Sequence, residues 1–242
     1  MKLLRSVIFV IWLYATMAAI GLAMWIPVML DDRHVWTALR AWTRTTLWGL
    51  RWIVGARVRF EGLEHAPKGG ALVAMKHQSM LDTMAPSLFL EKPVFIFKRE
   101  LAKTPIMGAY LARNQIAVDR GGHAKALKSL MRGAREAVAK GRQVVIFPEG
   151  TRQGLDAPPD YKPGIAAMYK DLGLPVTPVA LNTGLIWKPK GIARSPGEVS
   201  IKILPPIPPG LAREEFMRRL EQAIEGESQA LLPPDRRRSV AA

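Results

Sequence analysis

The chain has 242 residues, 49% of them apolar, with 35 Lys and Arg against 20 Asp and Glu for a formal charge of +15. That length builds one sizeable core with an accessory segment, and the charge favours anionic partners: phospholipid headgroups, phosphorylated substrates or nucleic acid. Cysteine is absent, which excludes disulfides, thiolate metal sites and a cysteine nucleophile, so any chemistry runs on histidine, carboxylates and hydroxyls.

No charge interrupts residues 7–30, a run long enough to cross or enter a bilayer. Lys2 and Arg5 precede it and Ala15, Ala18 and Ala19 are small, as in a signal peptide, yet the apolar stretch continues past them without a polar cleavage region. The run therefore reads as a membrane segment, and Gly21 and Pro27 leave a straight span and a re-entrant one both open. Residues 35–54 interleave Trp36, Trp42, Trp48 and Trp52 with Arg40, Arg44 and Arg51. This mixture suits the headgroup layer; an amphipathic helix packed on a soluble domain is the other reading, and the preceding membrane segment favours the first.

After Gly55 the pattern becomes that of a soluble domain. Strands are predicted at 57–61, 71–75, 94–97, 116–118, 143–147, 176–181 and 199–204, and helices at 80–90, 105–112, 123–140, 164–172 and 214–225. The alternation predicts an α/β fold: a largely parallel central sheet flanked by helices, preceded by N-terminal membrane and interfacial helices. The chain thus divides into membrane-embedded and interfacial helices at 1–54, one catalytic domain at 55–232 and a basic tail at 233–242.

In such sheets ligands gather at the carboxyl ends of the strands. The first stretch placed there is KHQSMLD at 76–82. His77 and Asp82 are five apart, whereas residues sharing a helix face are three or four apart, so His77 is predicted in the loop and Asp82 in the first helical turn. Ser79 then fits as N-cap, with Asp82 completing a Ser-x-x-Asp capping box. A carboxylate bonded to one ring nitrogen fixes the tautomer and leaves the other nitrogen to take a proton from a hydroxyl. Taken alone, the stretch equally fits a loop histidine beside a helix-capping acid. The second stretch, FPEGTR at 147–152, sets Glu149 and Arg152 after a buried strand with Gly150 allowing a tight turn. Such a pair suits a polyol phosphate, and it is also the pattern of a surface salt bridge. In the third, VDRGG at 118–122, Arg120 lies between a strand and a helix, a usual place for anions, while Asp119 can simply cap that helix. The four histidines, His34, His65, His77 and His123, show no metal-ligand spacing, and no metal is expected.

KHQSMLD, KRELAKTPIMGAYLARNQIAVDR at 98–120, FPEGTR and LPVTPVALNTG at 174–184 resemble, in order and spacing, the four blocks of the glycerolipid acyltransferase family, most nearly its bacterial 1-acyl-sn-glycerol-3-phosphate acyltransferases, over about residues 57–225. The resemblance implies that His77 is a general base and Asp82 its partner. It further implies that Arg120, Glu149, Gly150, Thr151 and Arg152 hold the acceptor's phosphate, and that Pro175, Val176 and Pro178 lie near the acyl donor. The implied reaction moves a fatty acyl chain from acyl-CoA or acyl-carrier protein to the sn-2 hydroxyl of lysophosphatidic acid, giving phosphatidic acid. It needs no cofactor, and its implied place is the cytoplasmic face of a bacterial inner membrane, among anionic lipids and without nucleic acid. Another lyso-lipid, such as a lyso-ornithine lipid or lysophospholipid, is the alternative acceptor. Outside the class stands a membrane-tethered nucleic-acid binder, but the soluble part has no basic stripe with interleaved aromatics.

Lys76 departs from the resemblance, standing where family members often carry Asn, and is expected to set a charge beside the base that would lower its pKa. Backbone N–H groups near Ser79 are expected to stabilise the developing oxyanion. Ser79 itself invites a rival role as acyl-carrying nucleophile; its predicted capping bond and the lack of a further triad member favour direct transfer.

Overall fold

A computed structural model of the protein describes residues 1–98, 108, 110–111, 115–118 and 123–237. The N-terminal part holds helices α1 (Lys2–Ala23), α2 (Trp25–Leu30) and α3 (Arg33–Gly49), the last continuing into a wider turn at Leu50–Val54. Among the described residues, strands β1 (Ala56–Glu61), β2 (Ala71–Met75), β3 (Pro93–Lys98), β4 (Ile116–Val118), β5 (Gln143–Ile146), β6 (Val176–Leu181) and β7 (Gly197–Ile203) form one sheet in the order β1-β7-β6-β2-β5-β3-β4. Every neighbouring pair is parallel except β6 with β7.

The central position of β2 explains its unbroken apolar sequence, because successive side chains serve opposite faces and both faces are covered. Leu72 and Ala74 join a core with Val144, Val176, Met168, Phe216 and Leu220. Helices α4 (His123–Ala139), α5 (Gly164–Leu172) and α6 (Arg213–Ala230) contribute to this face. Val73 and Met75 join a second core with Val145, Val179, Ile201 and Ala85. Pro178 lies inside β6 although it has no N–H; its carbonyl accepts from Leu204 N–H at 3.0 Å, one residue beyond the end of β7. The missing donor falls where that ladder is ending.

Two predicted helices differ from the structure or fall outside its described part. In place of a helix at 80–90, two 3₁₀ turns run over Leu81–Thr83 and Ala85–Leu88. Pro86 supplies no N–H to an α-helical ladder there, and Asp82 draws the start of the segment back toward the preceding loop, as described below. The predicted helix at 105–112 lies largely outside the described residues.

The first helix meets the domain along its whole length of about 33 Å. Ser6 Oγ accepts the Arg194 backbone N–H at 2.8 Å, Trp12 Nε1 donates to the Thr45 carbonyl at 2.9 Å, and the Tyr110 hydroxyl donates to the Gly21 carbonyl at 2.7 Å. Phe9 and Leu13 are buried with Leu81, Met84, Ile186 and Trp187. The opposite side, including Leu3, Leu4, Ile8 and Ile11, is exposed. The Trp and Arg stripe divides the same way. Trp36 is buried and donates to the Pro93 carbonyl at 3.0 Å, and Arg40 donates to the carbonyls of Ser87, Leu90 and Glu91, so these two bind the domain rather than the interface. Trp48 and Trp52 are exposed, leaving the interfacial reading to them.

Gly49 fixes how closely α1 and α3 approach: an added Cβ would lie 2.5 Å from Trp12 Cδ1. The Trp12 ring cannot easily yield, because its Nε1 is bonded to Thr45 and its face lies against Trp48 at 4.9 Å. Gly49→Ala is therefore expected to destabilise the protein by about 1–3 kcal/mol through overpacking, measured as a lowered thermal midpoint in detergent.

Candidate active site

Because β6, β2 and β5 are neighbours and mutually parallel, their carboxyl ends bring three loops together: 76–79 after β2, 147–153 after β5 and 182–184 after β6. Asp82 is the point on which they converge. It is fully buried, and five donors surround its carboxylate. Oδ2 accepts the Gln78 N–H at 2.6 Å, the Ser79 N–H at 2.7 Å and His77 Nδ1 at 3.2 Å; Oδ1 lies 2.8 Å from Ser79 Oγ and 2.7 Å from Thr183 Oγ1. An acceptor-only carboxylate requires the proton on Nδ1, so His77 presents the lone pair of Nε2, which has no hydrogen-bond partner among the described residues. The ring is held flat by Phe147, stacked on it at 4.0 Å.

The expected pairing of His77 with Asp82 is present, but the predicted cap is only half made. Asp82 reaches back to the Ser79 N–H, as the acidic member of a capping box does, whereas the Ser79 hydroxyl turns to Asp82 and Thr183 instead of accepting from the backbone. The backbone donors expected near Ser79 are already used: the Gln78 and Ser79 N–H groups donate to Asp82.

Glu149 braces the other side of the loop. It is 1% exposed, with Oε2 accepting the His77 backbone N–H at 3.0 Å and Oε1 accepting Lys76 Nζ at 2.9 Å. The His77 carbonyl in turn accepts the Gln153 N–H at 2.8 Å, so both peptide groups of the histidine are tied to the loop after β5. Lys76 also donates to Glu225 of α6 at 2.6 Å, and Glu225 accepts the Tyr161 hydroxyl at 3.1 Å. Burial pushes the Glu149 carboxyl above its usual range, against the pull of Lys76; burial and the two carboxylates push the Tyr161 hydroxyl far up, keeping it a donor. The charge expected from Lys76 beside the base is therefore neutralised by two carboxylates rather than left free to act on the ring.

The remaining sequence candidates are distributed unevenly. Gly150 adopts φ +68°, a left-handed conformation natural to glycine, and turns the chain so that Thr151 and Arg152 are exposed at the mouth of the site. Arg120 lies outside the described residues. Val176 and Pro178 are buried in β6, and Pro175 precedes that strand. Pro175 and Val176 thus occupy the edge of the sheet opposite His77, about 17–20 Å away for a strand of this length, and the structure does not bring them to the loop cluster.

Sequence reasoning missed Thr183, Glu225 and Tyr161. Thr183 lies in the LNTG segment, where a polar residue directly after an apolar strand was the available signal. Glu225 follows Ile224, a member of a buried stripe with Phe216, Leu220 and Ser228, so an acid at its margin was legible, but nothing local named its partner. Among the described residues, no cluster of three or more His, Cys, Asp or Glu could hold a metal ion.

A histidine oriented by a buried carboxylate at the carboxyl edge of a largely parallel sheet is the arrangement of an α/β enzyme, and such a pair can accept a proton from a hydroxyl. Comparison with known proteins narrows this class. The Acyltransferase family model matches residues 57–182. A 1-acyl-sn-glycerol-3-phosphate acyltransferase from Pseudomonas aeruginosa is 35% identical over 205 residues, 84% of this chain and 80% of that one. Another, from Cocos nucifera, is 30% identical over 161 residues, 65% of this chain and 52% of that one. The crystal structure of the 1-acyl-sn-glycerophosphate acyltransferase PlsC from Thermotoga maritima matches with a TM-score of 0.78, covering 96% of this chain and 99% of that one at 23% identity, a likeness of fold. The chain belongs to the Acyltransferase family.

Two substitutions separate the braces. Thr183→Val removes one donor from Asp82 and is expected to lower the turnover of acyl transfer about tenfold, the lower end for a hydrogen bond to a charged group, with both substrate KM values unchanged in initial-rate assays. Lys76→Met leaves two carboxylates without their cation and is expected to destabilise the protein by on the order of 3 kcal/mol, read from chemical denaturation.

Proposed function

We propose that the protein transfers a fatty acyl chain from a thioester to the sn-2 hydroxyl of 1-acyl-sn-glycerol-3-phosphate, making phosphatidic acid. The observation that carries this reading is the His77 and Asp82 pair, fixed in the base-competent tautomer, with Gln153, the neighbour of the exposed Arg152, bonded to the His77 carbonyl. Nε2 of His77 takes the proton of the acceptor hydroxyl as its oxygen attacks the thioester carbonyl. A carbon–oxygen bond forms, the carbon–sulfur bond breaks, and the departing thiolate takes the proton back from the imidazolium. The Asp82 carboxylate stabilises that imidazolium and does not itself need to move.

Arg152 receives the acceptor's phosphate, with Gly150 and Thr151 shaping the turn that presents it, and Arg120 is assigned to the same phosphate. A guanidinium grips two phosphate oxygens at once. Glu149 serves from beneath, holding the His77 backbone. The donor is acyl-CoA or acyl-carrier protein. Ser79 is fully buried and its hydroxyl is bonded to Asp82, which opposes a nucleophilic role and supports direct transfer between two bound substrates.

The first helix, long and apolar enough to cross a bilayer, is instead bonded to the domain from Ser6 to Gly21. We infer that it lies in one leaflet with its exposed apolar side in the acyl region, on the cytoplasmic side of a bacterial inner membrane. Burial of this kind is not screened by salt, so high-salt and carbonate washes are expected to leave the full-length protein in the membrane fraction; release into the wash contradicts the assignment.

Assay of purified protein with labelled acyl-CoA and a panel of lyso-lipids tests the reaction directly. His77→Ala is expected to lose at least about 100-fold in turnover with a near wild-type melting temperature. Arg152→Ala is expected to raise KM for lysophosphatidic acid and leave that for the donor alone. Wild-type turnover by His77→Ala, or a stoichiometric acyl adduct on Ser79 that chases into product, overturns the mechanism.

A further inference from the structure

A second cation on the same edge of the sheet has no carboxylate partner among the described residues. After Thr183 and Gly184, which contact Asp82 and Gln78, the chain makes a narrow hairpin closed by the bridge between Trp187 and Arg194. Arg194 is 6% exposed. Its guanidinium lies over the Trp187 ring at 4.3 Å, and Nη1 donates to the carbonyls of Gly191 and Ala193 at 3.0 and 3.1 Å. Nε is buried with no partner at all, and among the described residues no carboxylate pairs with the side chain.

Buried guanidinium groups ordinarily meet an anion, because their desolvation is otherwise uncompensated. Burial draws this one down to about 10, with Tyr14 opposing the fall and Arg152 adding to it, so it remains charged at neutral pH, and among the described residues no carboxylate relieves it. The surroundings are suited to a lipid. Lys188 and Lys190 are exposed on the hairpin, Ile192 at its tip is 51% exposed, and the Arg194 backbone is bonded to Ser6 of α1. Leu3, Leu4 and Val7 beside Ser6 face outward on that helix. The hairpin therefore joins the apolar side of α1 to the edge that carries His77.

We propose that Arg194 is a binding residue for a phosphate carried by a lipid, with Arg152, Lys188 and Lys190 supplying the surrounding positive field. Two sources share this chemistry: the phosphate of the acyl acceptor, and the headgroup of an anionic lipid of the bilayer in which α1 lies. Arginine suits both because its planar fork binds two oxygens, and the Trp187 ring holds it in one plane.

The test uses full-length protein in neutral phosphatidylcholine micelles, with Arg194→Met removing the charge and Arg194→Lys keeping the charge but not the fork. The first arm is thermal melting with added 1-oleoyl-lysophosphatidic acid or phosphatidylglycerol, which reads binding whether or not the protein is an acyltransferase. The wild-type midpoint is expected to rise with at least one lipid; Arg194→Met is expected to lose half or more of that rise, and Arg194→Lys part of it. The second arm, which rests on the proposed reaction, is kinetic. A fivefold or greater rise in KM for lysophosphatidic acid at constant donor KM assigns the phosphate to the acceptor. An unchanged KM with loss of activation by phosphatidylglycerol assigns it to the bilayer. A purely structural arginine gives the opposite pattern: Arg194→Met lowers the lipid-free midpoint while both variants keep the full lipid response, and that result overturns the proposal. Should Arg194→Met fail to fold, Arg194→Lys decides alone: a reduced lipid response sustains the site and an undiminished one overturns it.

Discussion

The arrangement of the catalytic edge depends on one buried carboxylate. Asp82 has no exposure to water and accepts from two backbone N–H groups, two hydroxyls and an imidazole. Five donors hold the carboxylate in one orientation, from which it fixes the tautomer of His77. The same bonds fold the loop. Because Gln78 and Ser79 turn their N–H groups to Asp82, the chain after β2 is a tight polar corner instead of a regular helix start, and Thr183 ties that corner to the end of β6. Chemistry and local fold thus draw on the same atoms, so substitutions here affect geometry and proton transfer together.

The sheet was legible in the sequence because its signals are local. Apolar runs such as ALVAM and VTPVAL, separated by helical stretches, required a mostly parallel sheet covered on both faces, and all seven of its strands fall within about two residues of expectation, the usual boundary error. The pairing of His77 with Asp82 was legible for a similar reason, since five residues spanning a corner restrict where the side chains can go. What escaped was long-range. Lys76 read as a free charge because its partners lie 73 and 149 residues away, and no local pattern connects them. Likewise the run at 80–90 has helical composition, and its failure to form one helix follows from tertiary bonds to Asp82 together with Pro86.

Contact also decides the meaning of the N-terminal segment. Length and composition alone leave α1 equally able to span, re-enter or lie flat. A helix that leaves a domain to cross a membrane does not bond to that domain at both ends, whereas here Ser6 and Gly21, nearly the full helix apart, are both engaged. Trp36 and Arg40 of α3 reinforce the docking from the next helix. The N-terminal helices therefore belong to the same packed unit as the sheet, and the exposed apolar residues they leave, from Leu3 to Trp52, are the outer surface of that unit.

This geometry gives the distribution of charge a direction. Behind the catalytic loop, positive and negative groups are matched: Lys76 between Glu149 and Glu225, with the Tyr161 hydroxyl completing the set. By contrast Arg152 is exposed, and among the described residues no carboxylate pairs with the buried Arg194. A net charge of +15 spread evenly would attract anions everywhere and orient none. Matching Lys76 with two carboxylates while Arg152 stays exposed concentrates the unmatched positive charge of this edge away from Lys76, which favours an anionic ligand near Arg152 over one near Lys76.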